Sequence, residues 1–192
     1  MASRPAPDFE ALIATVAREL EVRDIPFMLI GGQAVLLHGE PRLTADVDVT
    51  LGVSPDRLET VLEAARAAGL SILPEDPVGF VRDTFVLPAA QPDNGIRVDL
   101  IFSTTPYESQ AIERAVRVNV GGREVPFASV EDLLLHKLFA GRPRDLEDAA
   151  GVVRRKGEEI DWGYVDRWAK EFAAIPGREL LPSLALQLRT RE

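Results

Sequence analysis

At 192 residues, with 46% hydrophobic and 28% charged side chains, the chain has apolar material for one soluble domain carrying a helical appendage. It contains no cysteine, which excludes disulfides and thiolate metal sites and fits a reducing cytoplasm. Its net charge of −9 counts against a broad electrostatic hold on nucleic acid. No N-terminal signal region and no apolar run of bilayer-spanning length is visible, so a cytoplasmic protein without membrane partners is expected.

In chain order, residues 1–7 are rich in Pro and Ala and predict no regular element. Phe9, Leu12, Ile13, Val16 and Leu20 recur at helical spacing and predict an amphipathic helix over residues 8–23. Beyond Pro26, the run Phe27-Met28-Leu29-Ile30 reads as a short buried strand. Gly31-Gly32 then reads as a turn, and Gln33 to His38 as a short helix stopped by Gly39. A second strand begins at Asp46 and closes between Thr50 and Val53. Ser54-Pro55-Asp56 starts a helix that Gly69 ends. Residues 70–87, broken by Pro74, Pro77 and Gly79, predict short strands. Gln91 to Gly95 is a turn, Ile96 to Phe102 a strand, and Tyr107 to Ala115 a helix. Val116–Val120 and Arg123–Phe127, joined by Gly121-Gly122, predict a hairpin. Ser129 caps a helix that is apolar nearly all round, Pro143 opens another, and Trp162 to Phe172 and Leu180 to Leu188 predict packing helices.

Four features carry chemistry. A glycine pair followed by a helix N-terminus offers free N–H groups and a positive dipole end, which suit phosphate; an ordinary strand-to-helix turn would look the same. Alternation in Asp46-Val47-Asp48-Val49 puts both carboxylates on one strand face. Mg²⁺ relieves their repulsion and favours one or two carboxylates with substrate phosphates; two solvated positions on an edge strand are the plain alternative. Asp99 precedes Leu100, Ile101 and Phe102, as in a strand buried on both faces, where an acid is costly unless paired or bound to metal; an acid at a solvated strand end is the plain alternative. Lys137 shares a face with Leu133 and Leu134, so it must snorkel, pair with an acid, or meet an anionic ligand. On the following helix Asp145 and Asp148 share a face.

Arg42 and Thr44, just before the acid pair, could meet a triphosphate or stand in a solvated loop. His38 and His136 read as helix-surface or core residues, since two histidines without cysteine make no zinc site. Residues 141–192 hold ten basic and ten acidic residues, so the acid excess lies in residues 1–140. The basic set Arg142, Arg144, Arg154, Arg155 and Lys156 could guide an RNA end, or pair with nearby acids.

Gly31-Gly32, a spacer, then Asp46-x-Asp48 after a strand resembles the signature of the polymerase-β-like nucleotidyltransferase superfamily. The run from Leu133 to Asp148, with Lys137, Arg142 and Arg144-Asp145-Leu146-Glu147-Asp148, resembles the second motif of its AbiEii-type abortive-infection toxin branch. The two motifs span residues 26–150. The first departs from the branch pattern in having Gly-Gly where the branch has Gly-Ser, and the chain is shorter than the full toxins.

The resemblance implies an α/β nucleotidyltransferase fold of the α+β kind, with a mixed sheet flanked by helices and a C-terminal helical segment. It implies an N-terminal helix in residues 1–25, a core in residues 26–128 and completing helices in residues 129–192. Two Mg²⁺ would be held by Asp46, Asp48 and Asp99, with Asp99 as third carboxylate. Gly31, Gly32, Arg42, Thr44 and Lys137 would bind the NTP phosphates, and Asp145 would complete the site. The implied reaction moves a nucleoside monophosphate from an NTP to an acceptor: an RNA end such as that of tRNA, a protein, or a small molecule. A toxin-like role would add a cognate antitoxin as partner. The rivals are a non-catalytic protein keeping the fold, and a phosphohydrolase using the same acids.

Overall fold

The computed structural model describes residues 8–190; the Pro- and Ala-rich segment 1–7 lies outside the described residues. In chain order the elements are α1 (Phe9–Glu21), β1 (Phe27–Ile30), α2 (Gly31–His38), β2 (Asp46–Leu51), α3 (Leu58–Ala67), β3 (Ser71–Ile72), α4 (Pro77–Thr84), β4 (Val86–Ala90) and β5 (Arg97–Phe102). There follow α5 (Pro106–Glu113), β6 (Val116–Val120), β7 (Arg123–Phe127), α6 (Val130–Ala140), α7 (Pro143–Lys156), α8 (Trp162–Phe172) and α9 (Leu181–Arg189). This is a mixed α/β fold, as expected. The chain divides into two units, one of residues 1–30 and 44–127, the other of residues 31–43 and 128–192.

The first unit holds a seven-stranded sheet in the order β3-β4-β5-β2-β1-β7-β6. β2 runs parallel to β5 and antiparallel to β1, so the Asp46–Asp48 strand is the central one and not an edge. β1 joins β7 in parallel, while β3–β4, β4–β5 and β6–β7 are antiparallel. Strand β1 is buried at all four positions, as its apolar run predicts. In β2 the side chains alternate: Val47 and Val49 are buried and Asp46 and Asp48 half-buried. β5 alternates too, with Val98, Leu100 and Phe102 buried and Asp99 and Ile101 half-buried. Asp99 therefore does not sit in a strand buried on both faces, and its carboxylate keeps access to solvent.

Helix α1 starts where the Asp8 carboxylate accepts the Ala11 N–H at 2.9 Å; of its predicted stripe, Leu12, Ile13, Val16 and Leu20 are buried and Phe9 is half-buried. The stretch read as short strands over residues 70–87 is corrected: only Ser71–Ile72 and the start of β4 are extended, and residues 77–84 form α4. Asp76 caps this helix, its carboxylate accepting the Gly79 N–H at 3.0 Å, and Pro77 takes the first turn. Pro77 and Gly79 read as strand breakers, yet an Asp-Pro pair is equally a helix start.

The second unit is helical. Helix α6 packs against α7, α8 and α9, and α2 against α6 and α7. Leu133, Leu134, Leu135 and Leu138 of α6 are buried, which fits a helix apolar on nearly every side. Ser129 caps it, with Oγ 3.1 Å from the donating Asp132 N–H and itself donating to Asp132 Oδ2 at 2.7 Å. Tyr164 of α8 donates its hydroxyl to Asp132 Oδ1 at 2.8 Å, which ties α8 to this cap.

Candidate active site

The sheet unit brings Asp46, Asp48 and Asp99 together. Asp46 and Asp48 share a face of β2, and on the neighbouring parallel strand Asp48 is in register with Asp99 and Asp46 with Arg97. Residues in register on adjacent strands point to the same side, so three carboxylates and one guanidinium form a two-by-two patch. Arg97 Nε donates to Asp99 Oδ1 at 2.8 Å, and the Thr44 hydroxyl donates to Asp46 Oδ1 at 2.8 Å. Hydrogen bonding to Asp99, then the charges of Asp99, Asp46 and Asp48, raise the Arg97 guanidinium above its ordinary value.

Three carboxylates on one sheet face are a hard, all-oxygen donor set, the chemistry that divalent cations such as Mg²⁺ select. The donor identities and their register fit such a cation. The side chains are not drawn together around a point: among the described residues no group of three His, Cys, Asp or Glu is arranged to hold a metal ion. The Asp99 carboxylate is instead turned to Arg97.

The helical unit gathers a second set. Lys137 of α6 is buried, with Nζ 2.9 Å from Asp145 Oδ1 and 2.8 Å from Asp148 Oδ2 on α7. Asp145 and Asp148, three residues apart on one helix face, thus share one ammonium. Arg42 grips Asp148 with both ends of its fork, Nε to Oδ1 at 2.8 Å and Nη2 to Oδ2 at 2.9 Å. Arg142 binds Asp145, with Nε 2.5 Å from Oδ2. Burial by itself would raise both carboxyls. Hydrogen bonds from Arg142 and Lys137 to Asp145, and from Arg42 and Lys137 to Asp148, outweigh it and hold both below the usual carboxylate range. Of the roles open to Lys137, the structure shows the ion pair with acids.

Gly31 and Gly32 lie inside α2 and not in a turn before it: the helix begins at Gly31 itself, directly after β1. The change from strand to helix is made in one residue because Gly31 takes φ +61°, a region open to glycine. His38, buried at the end of α2, donates Nε2–H to the Ala128 carbonyl at 2.8 Å, a core role that matches expectation. The basic set around α7 is largely engaged as well. Arg154 pairs with Glu40 at 2.7 Å, Lys156 with Glu159 at 2.8 Å, and Arg155 donates to the Gly39 carbonyl. Two members of these networks were not singled out as site residues, Arg97 and Asp148. The signals were local: Arg97 is two residues from Asp99 on a strand, and Asp148 three from Asp145 on a helix.

Similarity to known proteins follows this geometry. The fold resembles the antibiotic-resistance factor ANT(2'')-Ia, with a TM-score of 0.59 at 16% identity over 88% of this chain and 96% of that one. It also resembles an antigenic nucleotidyltransferase-like protein from Paracoccidioides brasiliensis, with a TM-score of 0.54 at 18% identity over 94% and 92%. A third likeness is to the lincosamide antibiotic adenylyltransferase LnuA with lincomycin bound, with a TM-score of 0.52 at 18% identity over 77% and 98%. At these identities the likeness is one of fold. Comparison with curated proteins gives no match. Residues 9–177 match the family described as nucleotidyltransferase of unknown function (DUF6036), and the chain belongs to that nucleotidyltransferase family.

Proposed function

We propose that this protein is a magnesium-dependent enzyme that moves a nucleoside monophosphate from an NTP to an acceptor hydroxyl and releases pyrophosphate. The observation that carries the reading is the register of Asp48 with Asp99 beside Asp46, on the two central parallel strands. These three carboxylates would hold the metal, which when bound neutralises triphosphate charge and favours the in-line displacement. Asp99, half-buried and nearest in register to Asp48, would take the acceptor proton. Thr44 holds Asp46 in place. Nucleotide binding by Gly31, Gly32 and Arg42 is the remainder of the proposal.

A small molecule is the acceptor class we favour. The sheet unit contains 18 Asp and Glu against 10 Lys and Arg, which repels a polyanion such as RNA. Arg142, Arg154 and Lys156 are already paired with carboxylates. Among the fold neighbours, ANT(2'')-Ia was solved with adenylyl-2''-tobramycin and LnuA with lincomycin. The test supplies each α-labelled NTP with Mg²⁺ against aminoglycosides, lincosamides, a small-molecule extract and tRNA, with Asp46→Asn as control. Label on a small molecule is expected. Label on tRNA overturns the acceptor class, inorganic phosphate without an acceptor favours the hydrolase, and no NTP binding favours the non-catalytic protein. The AbiEii resemblance adds a toxin-like role with an antitoxin. Growth arrest on expression that Asp46→Asn abolishes would support it.

A further inference from the structure

We propose that Arg97 is a built-in counter-charge for the carboxylate face, which competes with the divalent cation for Asp99 and must be displaced when the cation binds. The inference rests on the reading of that face as a metal site.

Three observations lead to it. First, Arg97 stands on the same face as the acids, two residues from Asp99 on β5 and in register with Asp46 on β2. Second, its guanidinium holds the carboxylate that a third metal ligand would need, through Nε to Oδ1 at 2.8 Å. Third, the pair is only partly buried, the Arg97 side chain being 53% exposed and Asp99 20%. An ion pair this open to water is weak, so the arginine can leave without dragging the strand with it.

The physical reason for such a residue is electrostatic. Three carboxylates on adjacent strands repel one another, and without a cation the sheet bears that repulsion. A guanidinium lowers it while no metal is bound. A doubly charged cation neutralises more of the patch and binds oxygens directly, so it wins at sufficient concentration. The counter-charge thereby sets a threshold for metal binding. Arg97 acts through Asp99 and is a positioning residue.

The test is Mn²⁺ binding to the nucleotide-free full chain, read from the paramagnetic resonance signal of free Mn²⁺. Arg97→Met removes the competing charge and keeps the apolar stem. It should bind Mn²⁺ about tenfold more tightly than wild type, while Arg97→Lys, which keeps a cation, should stay near wild type. In an Asp99→Asn background, Arg97→Met should lose most of its effect, because the group competed for is gone. The melting temperature of Arg97→Met should rise more on adding Mn²⁺ than that of wild type. If wild type binds Mn²⁺ and Arg97→Met binds it equally or more weakly, the counter-charge proposal is overturned and the metal face stands. If neither wild type nor Arg97→Met binds Mn²⁺, the metal face itself fails and the proposal with it.

Discussion

Asp48 and Asp99 face each other in register across two parallel strands, 51 positions apart in the chain. Such a pair of like charges on the central strands has no packing value, since each would be better solvated at an edge. On the proposal above, this pair holds a divalent cation.

Replacing Asp46 or Asp48 by Asn should therefore separate function from stability. Transfer should fall by roughly a thousandfold or more, the equivalent of several kcal/mol of lost charge stabilisation. The melting temperature should hold or rise, because repulsion is relieved. Near-normal transfer would sink the assignment, and loss of folding would make the pair structural.

Lys137 should behave as part of the folded scaffold. Lys137→Met leaves Asp145 and Asp148 with Arg142 and Arg42 alone, and should lower stability by about 3 kcal/mol. Adding Asp148→Asn should cost less than the sum of the single changes, because both act on one network. Urea denaturation of the four proteins measures this directly. A Lys137→Met variant of wild-type stability that binds NTP poorly would instead make Lys137 a ligand residue.

The junction of β1 and α2 offers a backbone test. Gly31 adopts φ +61°, so Gly31→Ala should cost about 1–2 kcal/mol through strain. The change adds only one methyl group. An alanine variant with undiminished stability would show that the junction relaxes.

Ser129 is the best-defined cap. Ser129→Ala removes both its bond from the Asp132 N–H and its bond to the Asp132 carboxylate, and should cost about 1 kcal/mol or slightly more. A fall in melting temperature that Ser129→Thr restores would confirm capping as the cause.

The two histidines should make the fold acid-sensitive. Burial is the leading cause that lowers both His38 and His136 below 6.5. With depressed pKa values in the folded state, the unfolded chain takes up protons first as pH falls. Their contribution is thus present above pH 6.5 and is lost as pH drops through the folded values. The melting temperature should decline between pH 7 and 5.5, and His38→Gln with His136→Gln should flatten that decline. An unchanged slope in the double variant would refute this assignment.

The local order of the chain was legible in residue periods and caps. The stripe of α1, the apolar run of β1, the alternation of Asp46 and Asp48 with Val47 and Val49, and the Ser129 and Pro143 helix starts all depend on neighbours within a few residues. The fold class came with the resemblance to nucleotidyltransferases that Gly31-Gly32 and Asp46-x-Asp48 carry, and the family match bears that superfamily out. The misreading at residues 70–87 arose where Asp76-Pro77 and Gly79 admit either a broken strand or a capped helix, a choice that packing of α4 on β4 settles.

What no local pattern contains is long-range register and pairing. The neighbours of β2 are decided by how seven strands assemble, which sets Asp48 beside Asp99 and Asp46 beside Arg97. The grouping of residues 31–43 with the C-terminal helices comes from packing between segments about a hundred residues apart. Choice of partner for a buried charge is decided the same way. Sequence left Lys137 to snorkel, to pair with an acid or to meet an anionic ligand, because a buried ammonium without an anion is too costly. Only the approach of α7 to α6 determined that Asp145 and Asp148 supply it, because an ion pair depends on a few ångströms of separation that the chain order does not encode.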